Sequence, residues 1–282
     1  MRRVVDVLDS LRLSGGRELV FDRPHIMGIL NATPDSFSDG GRFTNVENAL
    51  KHAEQMVLNG ATILDIGGES TRPGALPVSV EEELARVCPL VEKITSSLDV
   101  VVSVDTSSPE VMRESVSVGA HMINDVRALS RDGAEQTVLE LNVPVCLMHM
   151  QGHPALMQVE PTYERVVDEV FSFLQSRIDA LTAQGFDRSQ IIIDPGFGFG
   201  KTLEHNQCLF RALDRFLDLE VPLLVGVSRK TMIGAITRRD IADRMVGSVV
   251  AAALANLKGA NILRVHDVSE TRDALKIVNA LM

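Results

Sequence analysis

Eight apolar runs, rich in β-branched and aliphatic residues, punctuate the chain, and each closes on a polar side chain: Asn31, Asp65, Asp105, Asn124, His149, Asp194, Ser228 and His266. After each run come turn-forming residues and then a stretch with apolar residues at helical spacing. The pattern predicts strands near 25–31, 62–67, 100–105, 121–126, 144–150, 191–194, 222–228 and 262–267. Helices are predicted near 45–59, 79–97, 109–118, 133–142, 162–184, 204–217, 245–258 and 269–281. Val166, Val170, Phe173, Leu174 and Leu181 form one stripe on the fifth of these, and Ser108-Pro109 and Ser269 with Glu270 read as helix starts.

Regular alternation of strand and helix points to a parallel sheet. An open doubly wound sheet would concentrate its ligand-binding side chains at one switch point. Here polar residues end nearly every strand, so the expected fold is a (β/α)8 barrel with its site at the C-terminal face. Residues 25–282 are assigned to the barrel domain. Residues 1–24 read as a short N-terminal appendage, a hairpin of Val4–Leu8 and Leu19–Phe21 around Ser14-Gly15-Gly16 that caps the barrel bottom.

Composition narrows the function. The 282 residues are 45% hydrophobic, enough for one large core, and no run approaches the roughly 20 apolar residues of a membrane span. The N-terminus MRRVVDVLDS lacks the apolar segment of a secretory signal, and Cys88, Cys146 and Cys208 are far apart without metal-ligand spacing. Reduced thiols and a cytoplasmic location are expected. A net charge of −10, no Trp and one Tyr argue against nucleic acid or an anionic membrane as partner. An anionic small substrate remains compatible, because Arg72, Lys230, Arg264 and His266 fall together at predicted strand ends.

The strand ends carry the candidate chemistry. Asp105, Asn124 and Asp194 end three different strands. A carboxylate accepts two parallel N–H bonds, so this set suits a flat base with an amino group beside a ring N–H. Pterin and guanine both present that edge. The loop after Asn31 carries Asp35 and Asp39, suited to a hard cation or a developing positive charge, and the Asn31 amide oxygen suits Mg²⁺. Arg72, on the loop after Asp65, suits an anion. Lys230, Arg264 and His266 follow the seventh strand and end the eighth, the frequent phosphate position in such barrels. His149 and His153 lie four apart on a strand and loop, which is not metal-ligand geometry. Gly200-Lys201-Thr202 is not a P-loop, because Pro195 occupies the first glycine's place. Phe197 and Phe199 read as loop aromatics beside a flat ligand, and Lys201 as a residue serving the surface.

Taken together, Gly28–Asn31 with Thr33–Gly41, Gly67–Gly74, Asp194–Lys201, Ser228-Arg229-Lys230 and Arg264–Asp267 closely resemble the dihydropteroate synthase family of pterin-binding barrels. The resemblance runs from about residue 25 to the C-terminus. Ala32 departs from it, standing where a bulkier apolar residue is common. The family joins 6-hydroxymethyl-7,8-dihydropterin diphosphate to 4-aminobenzoate, releasing diphosphate in folate biosynthesis, and is a sulfonamide target. The resemblance implies that Asp105, Asn124, Met148, Asp194, Phe199 and Lys230 hold the pterin. Thr71, Arg264 and His266 would bind diphosphate, Pro73, Phe197 and Ser228 would flank the aminobenzoate, and Asn31 would bind Mg²⁺. Asp39, Arg72 and Lys230 are the candidate catalytic residues. A homodimer through Gly247–Leu257, an unusually apolar Ala/Val-rich segment, is also expected. A methyltetrahydrofolate methyltransferase would need the pterin ligands but not the diphosphate set. A non-catalytic pterin-binding paralogue would not need the loop residues.

Overall fold

A computed structural model describes residues 10–32, 42–69, 78–152 and 161–282. A two-stranded antiparallel ribbon of β1 (Ser10–Arg12) and β2 (Glu18–Val20) comes first. Its turn passes through Gly15 and Gly16 at φ +73° and +76°, a region that side chains with a Cβ disfavour. The first strand of this ribbon lies at Ser10–Arg12, C-terminal to the expected Val4–Leu8, which falls outside the described residues.

Eight parallel strands follow, with helices between them. In chain order these are β3 (His25–Asn31), α1 (Arg42–Leu58), β4 (Ile63–Gly67), α2 (Val80–Ser97), β5 (Val101–Asp105), α3 (Pro109–Ser117), β6 (Met122–Asp125), α4 (Ala134–Leu141) and β7 (Val145–Met148). The second half runs α5 (Val166–Ala183), β8 (Ile191–Asp194), α6 (Leu203–Arg211), β9 (Leu224–Val225), α7 (Thr231–Thr237), α8 (Met245–Leu257), β10 (Ile262–Val265) and α9 (Val268–Leu281). Strand order is sequential from β3 to β8, and β10 pairs with both β3 and β9. A bridge between Ile193 and Leu223 closes the ring between β8 and β9. The fold is a (β/α)8 barrel, and among the described residues no helix is long and apolar enough to cross a membrane.

Four elements differ from expectation. The helix expected over 204–217 stops at Arg211, and Leu213–Leu219 continues as 3-10 turns. Leu213, Phe216 and Leu219 are fully buried and three residues apart, so a period of three buries one face where a period of 3.6 would not. The strand expected over 222–228 shrinks to Leu224–Val225, flanked by Pro222 and Gly226. Helix α7 was masked in the sequence by its seven-residue length and by Gly234, over which the Arg244 guanidinium lies. At α9 the N-terminal boundary residue is Asp267, so Ser269 sits inside the first turn.

Alternation along each strand sorts the side chains. One face packs on the helices in a large apolar shell. The other turns into the barrel, where Met27, Ile63, Val101, Met122, Cys146, Ile192, Leu224 and Ile262, one from each barrel strand, form an apolar floor. Leu11, Leu13 and Leu19 of the ribbon complete this cluster from below. Burying a leucine contributes roughly 1.5–3 kcal/mol, enough to fix the ribbon to the barrel. Two residues further along their strands, Asp65, Ser103, Asn124, Asp194 and Arg264 begin a polar layer.

Candidate active site

The polar layer is knit around one cation. Arg264 on β10 donates from Nε to Asp65 Oδ2 at 2.6 Å and from Nη2 to Asp105 Oδ2 at 2.8 Å. Asn124 Nδ2 donates to the same Asp65 oxygen at 3.1 Å. Four strands, β10, β4, β5 and β6, thus meet in one network. Burial pushes the Asp105 carboxyl well above the usual carboxylate range, and Arg264 opposes that shift. The flanking carboxylates Asp65 and Asp105 hold Arg264 firmly as a cation, against the effect of burial. Among the described residues two of the five guanidinium donors are used, which leaves capacity for an anion.

On the opposite side of the mouth, Asp194 ends β8. Its Oδ1 accepts the Gly196 N–H at 2.8 Å. Burial raises its pKa, while Lys230, that N–H bond, Lys201 and Arg264 all act to keep it ionised. Lys230 Nζ donates to the Phe197 carbonyl and lies 4.6 Å above the centre of the Phe199 ring. Burial lowers the Lys230 ammonium to about 8, with Asp194 limiting the drop. Met148 ends β7 beside Asp194 in the register.

The segment carrying Lys230 is held rigidly. Arg229 adopts φ +55°, costly for a residue with a Cβ. Its N–H donates to Ser248 Oγ at 2.8 Å, and its carbonyl accepts from Arg244 Nη1 at 3.1 Å. Its side chain pairs with Asp267. Ser228 Oγ lies 3.0 Å from His266 Nδ1 and accepts the His266 N–H at 3.2 Å.

The structure therefore brings together Asp105, Asn124, Asp194, Lys230 and Arg264, with Met148, Phe199, Ser228 and His266 on the same face. Asn31 is partly exposed at the end of β3. Asp39, Thr71, Arg72 and Pro73 lie outside the described residues, as do Asp35 and His153. Two expectations are corrected. Phe197 is fully buried and packs edge-on against Phe210, centroids 5.8 Å apart, so its carbonyl faces the site and its ring does not flank a ligand. Lys201 does not serve the surface: it is 3% exposed, and its Nζ lies 2.9 Å from both His149 Nδ1 and the Gly196 carbonyl.

Asp65 was not among the candidate site residues, although it closes the second strand. Its full burial and its bonds to both Arg264 and Asn124 make it the hub of the network. An aspartate followed by Ile66-Gly67-Gly68 was the available signal.

Comparison with known proteins fits this geometry. The family described as pterin binding enzyme matches residues 27–266. The chain is 51% identical over 267 residues to the dihydropteroate synthase of Escherichia coli K12, covering 95% of each chain. The Yersinia pestis dihydropteroate synthase, solved with a sulfonamide drug complex, superposes with a TM-score of 0.91 at 49% identity, covering 96% of this chain and 98% of that one. The Xanthomonas albilineans dihydropteroate synthase in complex with 7,8-dihydropteroate gives 0.88 at 48% identity, with the same coverage. A closed barrel whose mouth is ringed by strand-end carboxylates and cations, matched over most of its length, places the chain in the pterin-binding enzyme family. Its activity is that of a dihydropteroate synthase, a transferase joining 6-hydroxymethyl-7,8-dihydropterin diphosphate to 4-aminobenzoate.

Proposed function

We propose that Asp105, Asn124 and Asp194 bind the pterin through its amino and ring N–H edge, with Lys230 at its polar rim and Met148 and Phe199 against its faces. The observation that carries this reading is the convergence of two buried carboxylates and an amide, from three strands, on a mouth that also holds Lys230 and Arg264. Arg264 and His266, with Thr71, bind the diphosphate. Ser228 and Pro73 flank the aminobenzoate, and Asp39 and Arg72 complete the catalytic set.

Asn31 would hold Mg²⁺. Among the described residues no group of three His, Cys, Asp or Glu side chains is placed to cage a metal. One strand-end amide fits a cation that keeps its waters and takes its other ligands from substrate phosphates. When bound, the ion neutralises charge on the leaving diphosphate.

The chemistry needs no enzyme nucleophile. The C–O bond to diphosphate breaks with its electron pair on oxygen, where Arg264, His266 and Lys230 meet the charge. The methylene cation left behind is conjugated with the pterin ring. The aniline nitrogen's lone pair forms the new C–N bond, and the nitrogen then sheds its proton to solvent or diphosphate. Exclusion of water until that attack protects the cation.

Two further readings accompany this. The chain works in the cytoplasm, in keeping with its three free cysteines. It forms a homodimer through α8, where Val246, Val250, Leu254 and Leu257 are 67%, 53%, 47% and 48% exposed along one stripe. The experiment for the central reading is a coupled assay of diphosphate release with both substrates and Mg²⁺. Release that depends on 4-aminobenzoate is expected; its absence would overturn the reading.

A further inference from the structure

We propose that Lys201 is a positioning residue for the pterin site, clamping the loops after β7 and β8 through their backbone carbonyls and lending its charge to Asp194. The inference rests on the site reading above and adds a residue that touches neither substrate.

The geometry is a knot. Lys201 Nζ lies 2.9 Å from His149 Nδ1, 3.3 Å from the His149 carbonyl, 2.9 Å from the Gly196 carbonyl and 3.0 Å from the Phe199 carbonyl. All three carbonyls can only accept, and the arrangement calls for an ammonium with three N–H donors. The imidazole can accept as well: burial and the neighbouring Lys201 drive the His149 pKa down to about 3, so the ring is neutral. Burial lowers Lys201 to about 7, with Asp194 limiting the drop and Lys230 adding to it.

Each anchor is one step from a pterin contact. His149 follows Met148. Gly196 gives its carbonyl to Lys201 and its N–H to the Asp194 carboxylate. Phe199 gives its carbonyl to Lys201 while its ring lies under Lys230. The surroundings leave no slack. A Cβ at Gly196 would lie 1.8 Å from the His149 oxygen, and one at Gly200 would lie 2.4 Å from the Gln151 oxygen. Tyr163 Oη donates to the Gly200 carbonyl at 2.8 Å, and Asn206 Oδ1 accepts the Gly198 N–H at 2.8 Å.

The charge matters as well as the bonds. The groups facing Asp194 are Lys230, Lys201 and Arg264, with the buried Cys146 thiol on β7 as a further titratable neighbour. Removing the Lys201 charge raises the pKa of Asp194, so pterin binding is lost at a higher pH as the solution is acidified.

The test compares Lys201→Met, with no donors, and Lys201→Gln, with donors but no charge, in the full chain. Pterin affinity is measured by calorimetry, and kcat and KM for each substrate across pH. The pterin's own titration cancels between variants. Lys201→Met is expected to weaken pterin binding at least tenfold, to leave the aminobenzoate KM within about threefold, and to move the acid limb of kcat/KM for the pterin substrate to higher pH. Lys201→Gln is expected to recover part of the affinity at pH 8 while keeping the shifted limb. Affinity within twofold of wild type in both variants, or an unmoved limb in both, overturns the inference. So does failure of both to fold, which would make Lys201 a general structural requirement. An inactive wild type would instead overturn the functional reading.

Discussion

Arg229 and Asp267 form a two-bond ion pair that joins two separate motifs of the mouth: Nε donates to Oδ2 at 3.1 Å, and an Nη donates to Oδ1. Asp267 is 8% exposed, whereas the Arg229 side chain is about a third exposed. The pair fixes Ser228 and Lys230 relative to Arg264 and His266 without touching substrate.

Arg229→Met is therefore expected to lower stability by roughly 1–3 kcal/mol, below the range for a wholly buried pair because Arg229 is partly solvated. The KM for the dihydropterin diphosphate should rise as the two segments lose their mutual register. Urea denaturation and steady-state kinetics check both. Unchanged stability would mean that the other bonds of Arg229 hold the loop alone.

Asp194→Asn replaces an acceptor-only group with one that presents an N–H to the ligand's own donors. Pterin affinity should fall by roughly 1.5–3 kcal/mol, the cost of a charge-assisted contact. Calorimetry with a pterin lacking the diphosphate isolates this from anion binding, and unchanged affinity would remove Asp194 from the pocket.

Lys230 titrates at about 8 in the folded chain, against its ordinary 10.5. Between those values the unfolded chain holds a proton that the folded chain lacks. Stability therefore rises with pH in that window, by up to roughly 1.4 kcal/mol per pH unit. Below pH 8 the folded state bears the full cost of the buried ammonium. Wild type should gain stability relative to Lys230→Met from pH 8 to 10 in urea denaturation. A flat difference would mean that Lys230 keeps its proton in the fold.

Val250→Glu places a charge in the centre of the exposed α8 stripe. Sedimentation velocity should show a dimer for the wild type and a monomer for the variant. A wild-type monomer would remove α8 as an interface.

Much of the barrel is legible in the sequence because most barrel strands are short, mainly apolar runs with a polar residue at or near their end. Asp105, Asn124 and Asp194 could be placed that way, since a strand-end side chain has little choice of direction. Lys201 could not. Its role depends on three carbonyls, which no residue type records. Phe197 and Phe199 look equivalent in sequence, yet one ring is in the core and the other lies beneath Lys230. Gly196 and Gly198, with φ +70° and +81°, turn the chain between them so that residues two apart diverge. The ion pair of Arg229 and Asp267 spans 38 residues, a distance over which local pattern carries no information.

The leucines Leu11, Leu13 and Leu19 shut the lower end of the barrel among the described residues, so the proposed site is approached from the C-terminal face. On the proposed site, a pterin ring resting on Asp194 and Asn124, just above that floor, would arrive before anything that sits over it. The product built on the same ring would then depart last, through the opening by which its replacement comes in. In that arrangement the spent diphosphate would leave first, and its retention would stall the next turnover.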